Sequence, residues 1–433
     1  MELLAAASML AIALITWRSA VQGLGIWLLV LVIHGLLVLA LGPAATHLPM
    51  LLGASVATAI LLNGAWVGVP RRFLAVFASL LSVMVVAALQ GIDYTASVRS
   101  LALYGKAFIL ALLLAGSLRS QGSVLTISRY LLLAVVIGAL AAFYQKLTGT
   151  YTIDSLYVQR AAGLRGDPND TAMIMVAGVP VSLYWIFHSK ELWSRVLHTT
   201  AMALILLGIV LTSSRGGFVA LSCVLLAIYT RAPSVRMTLV GAALLGGVLL
   251  FAPASYWERM ETLVSGQEQH GSGSLRERWN LQKGGLAIVG EHPVLGVGPG
   301  NFGMAFLQTT RGGLTTVNVD DGATGVAHNL HLEFFAENGL LGGLLLWCIF
   351  LMALQGFTRF DRIYVTEGPF GIGFALAVSL GGMLVAGLFL SQGKNSILWF
   401  LVGAGLACGG ALNSPSALSG REAGVRRFDQ ILR

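Results

Sequence analysis

Charged residues are scarce in this 433-residue chain, where they make up 11% of the sequence against 56% for hydrophobic residues. The mean hydropathy is correspondingly high, at +0.80. A soluble protein of this size needs many more charged side chains to cover its surface, so the composition excludes a water-soluble globular fold. The sequence therefore predicts that lipid surrounds most of the chain.

Cysteine is also rare, with only three in the chain: Cys223, Cys348 and Cys408. Each lies within an apolar stretch, and their spacing fits neither a disulfide framework nor a metal site. The acidic pair Asp320 and Asp321 has no further ligand at metal-binding spacing and is interpreted as solvated loop charge. The sequence predicts packing cysteines, no metal and no cofactor.

Long apolar stretches, by contrast, fill the chain almost from end to end. One crossing of a bilayer needs roughly 20 mostly apolar residues, and about thirteen stretches approach that length. They cover residues 3–17, 24–41, 48–69, 73–92, 101–118, 130–147, 171–187, 197–212, 216–230, 237–252, 329–354, 369–390 and 396–412. The first lacks a basic start and a clear cleavage site, which favours an uncleaved helix over a signal peptide. The predicted fold is an all-α polytopic membrane protein with about 12–13 transmembrane helices and one long helical outer loop.

Arginine and lysine lie in alternate linkers between these stretches, and the positive-inside rule places those linkers in the cytoplasm. The basic positions are Arg18, Arg71, Arg72, Arg119, Arg129, Lys190, Arg195, Arg231, Arg236, Arg359, Arg362, Arg421, Arg426, Arg427 and Arg433. The predicted organisation is a bundle of about ten helices in residues 1–252, an outer loop in 253–327, C-terminal helices in 328–412 and a cytoplasmic tail in 413–433. The net charge of +8 is thus partly an orientation signal. No basic stripe with interleaved aromatics indicates nucleic acid.

Polar sequence on the predicted outer face is concentrated in four segments: residues 159–171, 212–218, 274–280 and 327–338. Three of them lie where a helix enters the membrane, and they carry residue types that cap helices. The expected caps are Asn169 or Asp170 in the first segment, Ser213 or Ser214 in the second and His328 with Asn329 in the fourth. In the third, Ser274 and Glu277 form a capping box for a helix that ends before Pro293.

Arginines lie in the first turns of two of these helices, at Arg215, Arg276 and Arg278. A cation at a helix N-terminus opposes the helix dipole by roughly 0.3–1 kcal/mol, so a bound anion is expected to offset that cost. Free N–H groups at such termini bind phosphate, and Arg160 and Arg165 could join the same site. The alternatives are an interfacial arginine at Arg215 and solvated residues elsewhere.

His328 is the candidate general base, because a helix N-terminus disfavours its protonated form and leaves the imidazole neutral near pH 7. His331, one turn later, is the competing candidate, with packing against the outer loop as its alternative. Glu337 lies beside a glycine-rich turn and is interpreted as structural or as the partner of an arginine. In GVGPGNF, no strand precedes the glycines and Pro299 interrupts them, so the segment predicts a loop turn and not a dinucleotide site.

Four motifs, GDPND, TSSRGG, RERW followed by GVGPGNF, and AHNLHLEFFAENGLLGG, occur in this order within residues 155–345. Together with the long outer loop before the last helices, their order and spacing resemble the O-antigen ligase and polymerase superfamily of bacterial membrane glycosyltransferases. The resemblance implies an inner-membrane protein whose outer loop and active site face the periplasm.

The resemblance also implies a metal-independent transfer of a glycan from undecaprenyl pyrophosphate to an acceptor hydroxyl. The acceptor is lipid A core for a ligase, which we favour, or a second lipid-linked repeat unit for a polymerase. Arg215 and Arg278 would hold the pyrophosphate, and His328 would orient or deprotonate the acceptor hydroxyl. The remaining candidate contacts to the donor or glycan are Arg276, Arg160, Arg165, Asn169, His331 and Glu337. Arg276 and Arg278 could exchange roles, because RERW offers two arginines.

Two other classes of membrane protein are weighed against the enzyme. A transporter or flippase of lipid-linked sugars is expected to carry ionisable residues near the bilayer midplane and paired broken helices in two related halves. Here the charges lie towards one face and no internal repeat is evident. A scaffold protein would not need several arginines at helix N-termini together with a histidine.

Overall fold

The computed structural model describes residues 2–66, 68–118, 120–150, 152–153, 159–164, 166–231, 233, 241, 274–310, 325–364 and 368–410. Within these residues there are fourteen α-helices, one 3-10 helix and one two-residue antiparallel strand pair. The helices before the strands are α1 (Glu2–Arg18), α2 (Ala20–Leu41), the 3-10 helix (Pro43–His47), α3 (Leu48–Leu62), α4 (Arg71–Leu89), α5 (Tyr94–Ser117) and α6 (Gln121–Thr148).

The strands are β1 (Thr152–Ile153) and β2 (Gln159–Arg160), paired in the register Thr152 with Arg160. The later helices are α7 (Pro168–His188), α8 (Leu192–Thr212), α9 (Arg215–Arg231), α10 (Ser274–Glu291), α11 (Phe302–Thr310), α12 (Leu330–Ile363), α13 (Ile372–Ala386) and α14 (Ser396–Gly410). Helices α10 and α11 fall within the predicted outer loop.

Eight described helices are long and apolar enough to cross a membrane, and three shorter apolar helices accompany them. Every predicted apolar stretch except one overlaps a helix, and that one, residues 237–252, lies almost entirely outside the described residues. The predicted all-α polytopic membrane fold is confirmed. Residues 413–433, the predicted tail, also lie outside the described part of the chain.

Side chains that accept from backbone N–H groups fix where several helices begin. Asp93 caps α5, Ser120 caps α6, and Asn329 caps α12 by accepting from the N–H groups of residues 331 and 332. The cap of α7 is Asp167, whose carboxylate accepts from the Asn169 N–H at 2.6 Å, so the prediction of Asn169 or Asp170 was wrong. The physical reason is that both predicted residues bind side chains on other elements.

Helix α14 forms the centre of the bundle, and its residues are almost all buried. It packs between α5 and α12. Trp399, which is 0% exposed, contacts the rings of Phe77, Phe108 and Phe350 from three different helices. Trp399 Nε1 also donates to the Gly393 carbonyl at 2.7 Å, which ties this aromatic cluster to the linker that joins α13 to α14.

Helix α12 is broken at Gly339, whose φ of 65° is left-handed. A side chain there would collide with the Val294 carbonyl, so glycine is required. Residues of the GVGPGNF segment fill the break: the Val297 N–H donates to the Ala336 carbonyl at 3.0 Å and the Gly298 N–H to the Glu337 carbonyl at 2.9 Å. This segment is a turn, as predicted. The break therefore divides α12 into a short first part, whose last carbonyls bind the GVGPGNF segment, and a long second part.

Candidate active site

The N-terminal ends of α7, α9 and α12 meet at the α13–α14 linker, residues 387–395. The Leu330 N–H at the start of α12 donates to the Gly387 carbonyl at 2.7 Å. Gln392 Nε2 donates to the Asp170 carboxylate in the first turn of α7 at 2.5 Å. Gly216 in α9 lies against Phe389 so closely that an added Cβ would be 2.9 Å from the Cβ of Phe389. One short linker therefore joins three helix N-termini.

Arg215 opens α9 and is buried, with 8% of its surface exposed. The preceding turn passes through Ser213 in the left-handed region, at φ 48°. Ser214 caps the helix as predicted, because its hydroxyl accepts from the Gly217 N–H at 3.1 Å. The turn therefore places a guanidinium at the positive end of a helix dipole, inside the protein.

Arg160 and Asn169 hold that turn in place. Arg160 Nε donates to the Thr212 carbonyl at 2.9 Å, and its Nη2 donates to Asn169 Oδ1 at 2.8 Å. The same amide oxygen accepts from the Ser214 hydroxyl at 3.0 Å. Both predicted binding residues thus contact the backbone and side chains beside Arg215, which indicates a structural role for these contacts.

Helix α10 carries Arg278, which is half-buried and acts electrostatically on His328. The helix lies against α12, where an added Cβ at Gly285 would come within 2.9 Å of Leu332. Arg276 is on the same helix, but its side chain lies outside the described residues, as does the whole of Arg165. The described part of the structure therefore contains Arg278, and the choice of Arg278 over Arg276 stays a prediction.

His328 combines an unusual backbone with an unusual electrostatic environment. It is half-buried and left-handed, with φ 47°, a conformation that non-glycine residues adopt only when surrounding contacts impose it. Burial, and then the positive charge of Arg278, lower the pKa of His328 to about 4, against the opposing effect of Asp167. With this pKa the imidazole is neutral at pH 7; the causes are burial and Arg278, where the sequence analysis assigned the effect to the helix N-terminus.

His331 is buried one turn further along α12 and faces the protein interior. Its Nε2 donates to the Leu384 carbonyl at 3.0 Å, and its ring stacks on Trp347 with centroids 4.9 Å apart. These contacts favour packing over substrate contact. His331 packs against the end of α13 and against α12 itself, whereas the sequence predicted packing against the outer loop.

Glu337 is buried next to the break in α12. Its carboxylate accepts from the Phe302 N–H at 3.4 Å and from the Gly300 N–H, so it holds the start of α11 against α12. Lys394, on the α13–α14 linker, is the cation whose charge acts on it. These contacts support the structural interpretation of Glu337. The cation that acts on its carboxylate is Lys394, where the predicted partner was an arginine.

Four polar residues of this region were not predicted from the sequence: Glu333 on α12, and Ser391, Gln392 and Lys394 on the α13–α14 linker. Glu333 accepts from the Ala327 N–H at 3.0 Å and from the Ser391 hydroxyl. The signal available in the sequence was an acidic residue within an apolar run, which is rare and marks a function in membrane helices. Ser391, Gln392 and Lys394 gave no local signal.

Among the described residues, no group of three histidine, cysteine or acidic side chains could hold a metal ion. The positive charges of this region are those of the arginines and Lys394. The described residues thus provide a neutral imidazole, a guanidinium within electrostatic range of it, and a second, buried arginine at a helix N-terminus.

Residues 200–347 match the model of a protein family described as O-antigen ligase. Arg215, Arg278 and His328 all fall inside the matched segment. The match confirms the resemblance to the O-antigen ligase and polymerase superfamily and indicates a ligase- or polymerase-type glycosyltransferase activity in the membrane. No curated protein matches the chain.

Proposed function

We propose that this chain, whose residues 200–347 match the model of the O-antigen ligase family, transfers a glycan from undecaprenyl pyrophosphate to a hydroxyl of lipid A core. The transfer takes place at the periplasmic face of the bacterial inner membrane. The observation that carries the proposal is a neutral, half-buried and left-handed His328 within electrostatic range of Arg278, inside the matched segment.

In the reaction, the acceptor oxygen bonds to the anomeric carbon of the glycan while the bond from that carbon to the pyrophosphate oxygen breaks. His328 takes the hydroxyl proton, and the electron pair of the broken bond stays on undecaprenyl pyrophosphate. Arg215 and Arg278 stabilise the charge that develops on this leaving group through charge-assisted hydrogen bonds. General base catalysis of this kind contributes about 10²–10⁴ in rate.

A histidine with a pKa of about 4 is a weak base, and donor binding offsets part of this shift. Burial, the larger cause, persists in the complex, but pyrophosphate bound at Arg278 offsets the positive charge that also lowers the pKa of His328, so the pKa rises. Proton transfer is then favoured only when the donor is in place, which limits unproductive binding of the acceptor.

The distribution of charge along the helices supports a periplasmic site. Helix α7 has 21 residues and is about 30 Å long, so its far end, followed by Lys190 and Arg195, lies across the membrane from the α13–α14 linker. The far end of α12 carries Arg359 and Arg362. Positive linkers stay in the cytoplasm, which supports a periplasmic location for His328.

Transfer with purified protein in lipid nanodiscs tests the proposal, with undecaprenyl-pyrophosphate-linked glycan as donor and lipid A core as acceptor. We expect product on lipid A core, and we expect EDTA to leave the rate unchanged because the arginines neutralise the leaving group. Arg215→Ala and His328→Ala should each abolish transfer, whereas His292→Ala, an exposed histidine of the same region, should not.

Two outcomes would change the assignment. Extension of a second lipid-linked unit, with none on lipid A core, would make the enzyme a polymerase. No product with either acceptor from folded protein would contradict the glycosyltransferase proposal and direct attention to transport.

A further inference from the structure

We propose that the Glu333 carboxylate and the Ser391 hydroxyl form a positioning pair that fixes the backbone at Ala327 and thereby the orientation of His328. The inference rests on the proposed function, in which His328 takes the acceptor proton. Neither residue carries a role in that reaction itself. Both act through the segment that precedes α12.

The contact on which the inference depends is between a side chain and the backbone. One oxygen of Glu333, Oε2, accepts both the Ala327 N–H, at 3.0 Å, and the Ser391 O–H. The N–H that is held belongs to the residue immediately before His328.

His328 needs such a restraint because its backbone is in a conformation that the chain does not favour by itself. Residues 325–329 form neither helix nor strand, and His328 has φ 47°. A left-handed non-glycine residue persists where neighbouring contacts over-determine it. The Glu333 bond restrains the N-terminal side, and the cap at Asn329 restrains the C-terminal side.

Ser391 extends this restraint to the other catalytic elements. It belongs to the α13–α14 linker, which also binds Asp170 of α7 through Gln392 and lies against Gly216 of α9 through Phe389. The pair therefore ties the backbone at His328 to the same linker that contacts the start of Arg215's helix. Base and pyrophosphate site are held at a fixed separation by one segment.

The competing explanation is that Glu333 acts only by its charge. An acidic residue in the first turn of a helix complements the helix dipole, and Lys394 lies within electrostatic range. The two explanations differ for Glu333→Gln, because glutamine keeps an oxygen that accepts hydrogen bonds but has no charge. A positioning role survives this substitution, and a charge role does not.

The experiment measures kcat and the donor KM of the nanodisc-embedded enzyme with undecaprenyl-pyrophosphate-linked glycan. Small displacements of a catalytic group cost about 10²-fold in rate, so Glu333→Ala should lower kcat by about 10- to 100-fold while the donor KM stays nearly constant. Glu333→Gln should recover most of the loss, and Ser391→Ala should show a smaller loss of the same kind. Glu291→Ala, which removes an exposed acid at the end of α10, is the matched control and should be unchanged.

Three results would overturn the inference: normal kcat in both Glu333→Ala and Ser391→Ala, an effect on KM alone, or a Glu333→Gln variant as impaired as the alanine. His328→Ala separates this failure from failure of the proposed function. If His328→Ala is active, the proposed base is wrong whatever Glu333 does. If His328→Ala abolishes transfer, as expected, the proposed base stands and the Glu333 and Ser391 variants test the positioning pair by themselves.

Discussion

Acidification should destabilise the folded protein through His328, in a pH window that the structure defines. The pKa of His328 is about 4 when folded and 6.5 in its ordinary state, a difference of about 2.5 that corresponds to about 3 kcal/mol. Above pH 6.5 neither state binds the proton and stability is unaffected. Between pH 6.5 and 4 the unfolded state binds it and the folded state does not, so the free energy of unfolding falls as the pH falls.

Tryptophan fluorescence during thermal unfolding measures this loss, since Trp399 lies at the centre of the bundle and is fully buried. Carboxylates titrate in the same window, so the informative quantity is the difference between wild type and His328→Gln. Glutamine does not titrate. The variant should lose less stability than wild type between pH 7.5 and 4.5, by about 2–3 kcal/mol.

Two further variants should move the window in opposite directions. Arg278→Gln removes a cation that lowers the pKa of His328, so the loss of stability should shrink. Asp167→Asn removes an anion that raises it, so the loss should grow, while asparagine preserves the cap of α7. Equal pH dependence of wild type and His328→Gln would refute the reasoning, and so would shifts of the same sign in the two charge variants.

Three other predictions concern the support of the site and its orientation. Arg160→Lys should lower the thermal unfolding temperature and the transfer rate, because one ammonium cannot bridge the two acceptors that the guanidinium reaches; unchanged values of both would show that the turn does not need this contact. Gly339→Ala should destabilise the protein by at least about 1–2 kcal/mol in thermal unfolding, since its left-handed φ and the carbonyl beside it exclude a Cβ; a fully stable variant would argue against the break in α12. Topology can be tested by cysteine labelling in a Cys223→Ser background, in cells with a permeabilised outer membrane. A cysteine at the exposed Val294 should react with an impermeant thiol reagent, whereas one at the exposed Trp193 should stay protected until the inner membrane is broken. The reverse pattern would invert the topology.

Local sequence was sufficient to predict the helices and some of their ends. The apolar stretches gave the helices because each is long enough to satisfy its own backbone in lipid. Asn329 and Ser214 were predictable as caps, since each bonds an N–H group two or three residues ahead. Among Asp167, Asn169 and Asp170 the cap was mispredicted, because all three are good capping residues within one turn.

Tertiary contacts determine which of these three residues caps α7. They also provide most of the contacts that hold the site in place. The Asn169 side chain accepts hydrogen bonds from Arg160 and Ser214, and the Asp170 side chain accepts one from Gln392, which is 222 residues away in sequence. No local pattern connects such partners. The same limitation hid the Glu333–Ser391 contact, whose members are 58 residues apart.

The proposed catalytic groups and the groups that hold them come from different parts of the chain. Arg215, Arg278 and His328 lie within residues 200–347, whereas Arg160 and the linker residue Ser391 lie before and after that segment. Each of these two residues adds a long-range restraint to local ones, at a left-handed turn in one case and at a left-handed histidine in the other. Residues 200–347 alone therefore contain the proposed chemical groups and only some of the contacts that hold them, and the flanking segments supply the rest.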